Sequence, residues 1–493
     1  MNLMDLLTSG IEFPRKLMEL GVNMPPEFII SVPRIILTLS PKILYLMNTM
    51  KEPRSANWNP AYSVATRFIK AVTECLPDTP LKEVQYLSSI CRNLPYPGLE
   101  IKKDYLPDSF RDEAYSFLKH HFSNKYGYYP QSKEEHWSNS KKIEFNLIST
   151  KYSNSNGGGA YTLGHSCLYN SVYTDLSKAS GSKIFALDYR LGPQATLPSI
   201  IEDVVAAYFY LTAPKNQGGM GVPSSRIVVG GDSAGGGLSG NLAHILKSFG
   251  NSQVAGMFLW SPSIDLTFSQ PSRYENSYKD ILPNIINPPI MVGNNLKIDS
   301  SEFLFMYKQG SDKIKKRMEM DGAPLAPKEF YQLPEITPPF DPDMNGLPPT
   351  LIITGDRDAF RDSSIIYGKR RAETEKLTKN RMGTILPNVQ TIIYEDLPHV
   401  FMTIPGDSRT NSAVTTTAEF IQKAMNLDNF GVLASISDTS LPDMKKSYMN
   451  NTYNMYWNSL NGITDAWESP YKVVPFPGGN NLVTTPNAFS LSN

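Results

Sequence analysis

Cysteine is scarce in this chain: its 493 residues include three, Cys75, Cys91 and Cys167. Three thiols cannot build a disulfide framework, and no C-x-x-C pair is available for zinc or redox work. Reduced thiols in an intracellular protein are expected, with a single Cys75–Cys91 bridge as the form an oxidising compartment would allow. Excess charge is missing too. Lys+Arg 47 balances Asp+Glu 47, and no basic run appears, so nucleic acid is not an expected partner. No unbroken apolar run is long enough for a membrane span of roughly 18 residues. The most apolar stretch, Phe28 to Met47, is interrupted by Pro33, Arg34, Pro41 and Lys42. Packing onto the body, capping a lipid-facing pocket and shallow insertion into a membrane interface all fit it. Residues 25–50 are therefore the candidate for peripheral membrane or lipid-droplet contact. Met1 to Leu20 lacks the basic and apolar regions of a signal peptide. The expected location is intracellular, either cytoplasmic or associated with endoplasmic reticulum or lipid droplets.

What is present is a globular composition, 41% hydrophobic, and an α/β rhythm that begins near Ile143. Residues 1–140 read as a helical region contributing to a cap. Within it Val64, Phe68, Ile69 and Val72 mark one amphipathic helix, and Ser109 to Phe122 a second. His120, His121 and His136 match no metal spacing and read as solvated or core-edge. From 141 to 426, strands at Ile143–Leu147, Ile184–Leu187, Ile227–Val229, Val254–Trp260, Thr350–Thr354 and Val389–Tyr394 alternate with helices. That alternation predicts an α/β fold with a mostly parallel central sheet and helices on both faces. Residues 265–348 are proline-rich and irregular, an insertion expected at the functional end as part of a lid. The tail, 427–493, is expected to wrap the surface or stay disordered.

The rhythm centres on Gly231-Asp232-Ser233-Ala234-Gly235. Three β-branched residues precede it, and Leu238, Leu242, Ile245, Leu246 and Phe249 follow at helical spacing until Gly250. G-x-S-x-G between a strand and a helix places a serine on a sharp, strained turn, which marks Ser233 as a candidate nucleophile. A serine hydroxyl needs a base within hydrogen-bond reach, and that base needs a third group to orient it. In chain order, Asp358 follows the strand ending at Thr354, and His399 follows the strand ending at Tyr394. Asp356, Asp362 and Asp396 compete with Asp358, although Asp362 reads better as the cap of the next helix. His165 and His244 are the alternative bases, His244 lying in the elbow helix. Asp232 reads as structural. The run Gly157-Gly158-Gly159 and the N–H of Ala234 are candidate oxyanion donors.

These pieces, with Asp188-Tyr189-Arg190-Leu191-Gly192-Pro193, Pro198, Glu202-Asp203, Ser261-Pro262, Gly346-Leu347-Pro348-Pro349-Thr350-Leu351 and Asp358-Ala359-Phe360-Arg361-Asp362, stand in one order along roughly 140–425. Together they resemble the hormone-sensitive-lipase-like branch of the α/β-hydrolases, a family of esterases and lipases. Fungal steryl acetyl hydrolases belong to this broader group and are a candidate closer likeness. The resemblance implies the α/β-hydrolase fold and carboxylic-ester hydrolysis. It implies Ser233 as nucleophile, His399 as base, Asp358 as acid, and Gly158, Gly159 and Ala234 as oxyanion donors. It also implies that N-terminal segments help to form a cap over the acyl pocket. Two departures stand out: Asn156 where the family has histidine before its glycines, and Val400 where it has glycine after the catalytic histidine. The expected substrate is a hydrophobic ester, such as a sterol or acyl-glycerol ester, cleaved with neither metal nor cofactor. A non-catalytic small-molecule-binding protein on the same scaffold is the competing reading, and an amidase or transacylase would share the same parts.

Overall fold

The structure is a computed structural model that describes residues 28–75, 79, 81–89, 92, 100–137, 142–149, 161–268, 270–283, 291–292, 295–296, 325–374, 389–425, 453–458 and 462–464. Strands of five or six residues build its centre. β1 (Glu100–Tyr105), β2 (Glu144–Ser149) and β3 (Ile184–Asp188) form an antiparallel sheet. β4 (Val228–Asp232), β5 (Gly256–Trp260), β6 (Thr350–Gly355) and β7 (Val389–Tyr394) lie side by side in parallel. β8 (Tyr453–Asn458) continues the parallel order beside β7, and β9 (Gly462–Thr464) returns antiparallel to β8. The tail residues described here therefore extend the sheet. Among the described residues β3 and β4 do not pair, and Phe185, Leu187, Val229 and Leu242 line an apolar cavity that both strands border.

The period of two along the parallel strands divides the core into two layers. Met257, Leu259 and Ile352 join a core with Leu238 and Leu242 of α6 (Ser233–Ser248) and Val204 of α5 (Leu197–Thr212). Phe258, Trp260, Leu351 and Ile353 face the other way, toward Ala413 and Ile421 of α8 (Ser408–Met425). β6 is buried at every position, as expected for a parallel strand covered on both sides. Helices thus lie on both faces. β1 was not anticipated, because it is mostly exposed and reads Glu-Ile-Lys-Lys-Asp-Tyr, without an apolar alternation.

The N-terminal region contributes α1 (Phe28–Thr49), α2 (Pro60–Cys75) and α3 (Asp108–Tyr126), and α4 (Asn170–Ser180) follows between β2 and β3. Leu44 and Tyr45 of α1 are exposed, and no helix among the described residues is long and apolar enough to cross a membrane. α2 keeps Phe68, Ile69 and Val72 of its predicted apolar face half-buried against the core, but Val64 is exposed. The fully buried positions include Tyr62, Thr66, Arg67, Lys70 and Ala71. The polar members of that set cap main-chain carbonyls: Arg67 donates to Met50 O at 3.1 Å and Lys70 to Ser277 O at 2.7 Å. The cysteine reading is also corrected. Cys75 is buried and outside any disulfide, whereas Cys167 is disulfide-bonded, so not all thiols are reduced and Cys75–Cys91 is not the bridge. Cys91 lies outside the described residues. The described parts of the insertion pack into the body, with Phe268, Ile281, Phe330, Ile336 and Phe340 buried.

Candidate active site

The turn between β4 and α6 holds Ser233 at φ +49°, a left-handed conformation that costs a non-glycine residue about 1–3 kcal/mol. Crossing chain segments keep it there. Ser263 N donates to Ser233 O at 2.9 Å, and a Cβ on Gly237 would stand 2.4 Å from Ser263 O. Only glycine at that helix position allows the loop after β5 to come so close. Ser233 is nearly enclosed, at 9% exposure.

Two further loops meet this turn at the carboxyl ends of β6 and β7. His399 Nε2 lies 2.9 Å from Ser233 Oγ, and His399 Nδ1 lies 3.0 Å from Asp358 Oδ1. With its proton on Nδ1, the imidazole donates to the carboxylate and offers Nε2 as acceptor for the serine hydroxyl. Asp358 also accepts from Phe360 N at 2.8 Å and from Thr354 Oγ1 at 2.8 Å. Phe360 stands edge-on to the His399 ring with centroids 4.9 Å apart. The loops carrying Asp358 and His399 approach closely: a Cβ on Gly355 would lie 1.9 Å from Leu397 O. Burial opposes the charge on both partners, but the ion pair prevails. Asp358 is held below the usual carboxylate range by His399 and its hydrogen bonds. His399 is raised above the ordinary histidine value by Asp358, Asp280 and Asp232, despite its burial.

The competing acids go elsewhere. Asp356 accepts from Asp396 N, and burial pushes it up to about 6, with Asp396 adding to the shift. Asp396 binds Ser55, Asn57 and Arg357. Asp362 is not the predicted cap: it lies inside α7 (Arg361–Thr374), where it accepts from Ser272 N at 3.0 Å and returns its own N–H to Ser272 Oγ. Asp232 accepts from Tyr169 OH at 3.1 Å. The other histidines have different partners. His244 is fully buried between Asp341 at 2.8 Å and Tyr367 at 3.0 Å, with burial lowering its pKa. His165 lies 3.5 Å from Asp188 and 3.8 Å from Glu144. That trio brings ligand-type atoms together, but Arg92 already holds Glu144, and Asn146 and Ser166 hold Asp188. His121 stacks on Phe249. His136 departs from its predicted solvated or core-edge place: it is wholly buried, with Nδ1 2.6 Å from Glu202. Ala234 follows the serine at the start of α6. Gly158 and Gly159, like Asn156, lie outside the described residues.

The sequence reading missed two supports of this site. Ser261, at φ +45°, accepts from Val400 N at 3.0 Å and hydrogen-bonds Asp358; its place in the Ser261-Pro262 motif was the available signal. Asp280 touches the base loop from the irregular insertion, where no periodic signal marks it. Val400 is itself in the left-handed region, at φ +45°, where a β-branched side chain is strained. Val400→Gly is therefore expected to leave stability within about 1 kcal/mol of wild type, because relief of strain offsets lost packing. At an ordinary φ the same loss would cost about 2 kcal/mol or more. Urea unfolding measures the difference, and a cost of that larger size would show that Val400 is unstrained.

Comparisons with known proteins agree with this architecture. The α/β hydrolase fold family matches residues 157–403, half of the chain. The carboxylesterase NlhH of Mycobacterium tuberculosis is 29% identical over 237 residues, 48% of this chain and 63% of that protein. Neutral cholesterol ester hydrolase 1 of Bos taurus is 26% identical over 247 residues, 43% of this chain and 60% of that protein. The chain thus matches less than two thirds of the length of these relatives. A solved structure of the esterase E40, in a mutant form, superposes with a TM-score of 0.50 at 20% identity, covering 73% of this chain and 98% of that one. The elbow, the parallel order of β4 to β7 and the family match over them lead to one identification: the chain belongs to the α/β-hydrolase fold family.

Proposed function

We propose that the protein is a serine carboxylic-ester hydrolase acting on hydrophobic esters through an acyl-enzyme. The observation that carries this reading is the relay Ser233 Oγ to His399 Nε2, 2.9 Å, and His399 Nδ1 to Asp358 Oδ1, 3.0 Å. Ser233 Oγ adds to the ester carbonyl carbon while its proton passes to His399 Nε2. Asp358 stabilises the imidazolium that results. The tetrahedral intermediate expels the alcohol, which takes the proton back from His399. Water, deprotonated by the same imidazole, then releases the acid and restores the serine. The oxyanion would be held by the Ala234 N–H, at the positive end of a 16-residue helix. Gly158 and Gly159 take the same role by sequence resemblance. The relatives named as a carboxylesterase and a cholesterol ester hydrolase support the reaction class and a lipophilic substrate, such as a sterol or acyl-glycerol ester.

A fluorophosphonate probe is expected to place one covalent label on Ser233, and a panel from acetyl to long-chain esters with sterol acetates should show turnover favouring the apolar alcohols. Neither label nor turnover would instead indicate a binding protein on the hydrolase scaffold.

A further inference from the structure

A second carboxylate lies against the base. Asp280 is completely buried. Its Oδ1 accepts from His399 N at 2.7 Å and Ile281 N at 2.6 Å, and its Oδ2 accepts from Ala359 N at 2.7 Å. One side chain therefore holds the backbone of the base and of the residue after the acid. Asp280, Asp358 and His399 bring ligand-type atoms within 4.8 Å of one another. Backbone N–H groups occupy both oxygens of Asp280, so the arrangement fits a main-chain clamp better than a metal site.

The turn that carries Asp280 is fixed from both sides. Asn276 Nδ2 donates to Asp356 O at 2.9 Å and Asp358 O at 3.0 Å. From α2, Lys70 Nζ donates to Ser277 O at 2.7 Å and to Leu282 O, and Thr73 Oγ1 donates to Ile281 O at 2.6 Å. A continuous path thus runs from the N-terminal helical region through this turn to the imidazole.

We propose that Asp280, braced by Lys70 and Thr73 of α2, is a positioning residue that clamps the acid and base loops and sets the imidazole of His399 against Ser233. The proposal rests on the reading of Ser233, His399 and Asp358 as the catalytic groups. Three N–H donors and no acceptor explain the need for a carboxylate, since an amide would turn its NH₂ toward the Ala359 N–H. The charge matters as well as the shape. Burial and Asp358 push Asp280 above the usual carboxylate range, while His399 and two backbone N–H groups pull it back. Lys70 and Tyr62, both on α2, also feel the Asp280 charge. Asp358, Asp280 and Asp232 all favour the imidazolium. His399 must be neutral to act as base, so activity rises with pH through its raised pKa.

Asp280→Asn is expected to lower kcat about 10- to 100-fold at nearly constant KM, and to move the acidic limb of the kcat/KM profile to lower pH. The limb shifts because one of the anions stabilising the imidazolium is gone, which a purely structural defect would not cause. An unmoved limb overturns the proposal, whatever happens to kcat. Thr73→Val, nearly isosteric and remote from the reacting atoms, keeps the test open should Asp280→Asn not fold. It should lower kcat about threefold with KM unchanged, and a wild-type kcat overturns the brace and with it the proposal. Ser233 labelling in the wild type separates the two readings. A labelled Ser233 with an unmoved limb rejects Asp280 alone, whereas no label rejects the triad beneath it.

Discussion

Ser233→Ala is expected to lower kcat for an activated short-chain ester by about 10⁴-fold or more, while the protein stays folded. The size follows from how triad groups act. Once the nucleophile is gone, the base and acid have nothing to activate, and only binding and oxyanion stabilisation remain. Stability should change little. The hydroxyl's partner is His399 Nε2, and alanine inherits the same positive φ, so the strain of the turn stays. A burst of alcohol release in stopped-flow is expected of the wild type, and it should vanish in the variant along with the steady-state rate. Asp358→Asn should cost roughly 10⁴-fold by disturbing the imidazole tautomer. Retention of more than a tenth of wild-type turnover by Ser233→Ala would remove the serine from the mechanism.

The second large effect is on stability. Arg190→Met is expected to cost about 3–5 kcal/mol, seen as a fall of several degrees in the thermal midpoint by circular dichroism. Arg190 is buried, and its Nε lies 3.0 Å from both oxygens of Asp203. Its terminal nitrogens reach His136 O at 2.7 Å, Ser199 O at 2.9 Å and Glu202 at 3.4 Å. Methionine keeps much of the volume but leaves two buried carboxylates without their cation. Glu202 retains Tyr129 and Gln131 as donors, whereas Asp203 is left with the Arg190 backbone N–H. Adding Asp203→Leu should therefore recover part of the loss. A cost below about 1 kcal/mol would mean that the carboxylates repair themselves with protons or water.

Most of what brings Ser233, Asp358 and His399 together is written locally. The elbow needs three β-branched residues, a turn and an amphipathic helix, all within 25 residues of one another in the sequence. The positions of Asp358 and His399 follow from the strands before them, because in a parallel sheet consecutive strand ends share one edge. What resisted reading depends on contacts between distant segments. Asp280 reaches His399 from an irregular stretch whose path no period describes. His136 is buried because the Glu202 carboxylate, 66 residues away, accepts a hydrogen bond from its Nδ1 across the core. The buried face of α2 carries Arg67 and Lys70 as well as Tyr62 and Ala71, since the surfaces it meets offer bare carbonyls beside apolar side chains. Apolar periodicity cannot signal such a face. Ser261 was visible as part of a motif, but its link between Val400 and Asp358 appears only when three loops are brought together.

The strand at the far end of the sheet has a consequence for how the chain is made. β8 pairs in parallel with β7, yet it lies well downstream of it, after the helix that closes the sheet. During synthesis β7 is complete, and His399 has already emerged, before β8 leaves the ribosome. In that interval the outer edge of β7 presents unpaired N–H and C=O groups, the kind of edge on which chains join one another. Synthesis of β8 thus covers this edge of β7, separately from the meeting of Ser233, Asp358 and His399.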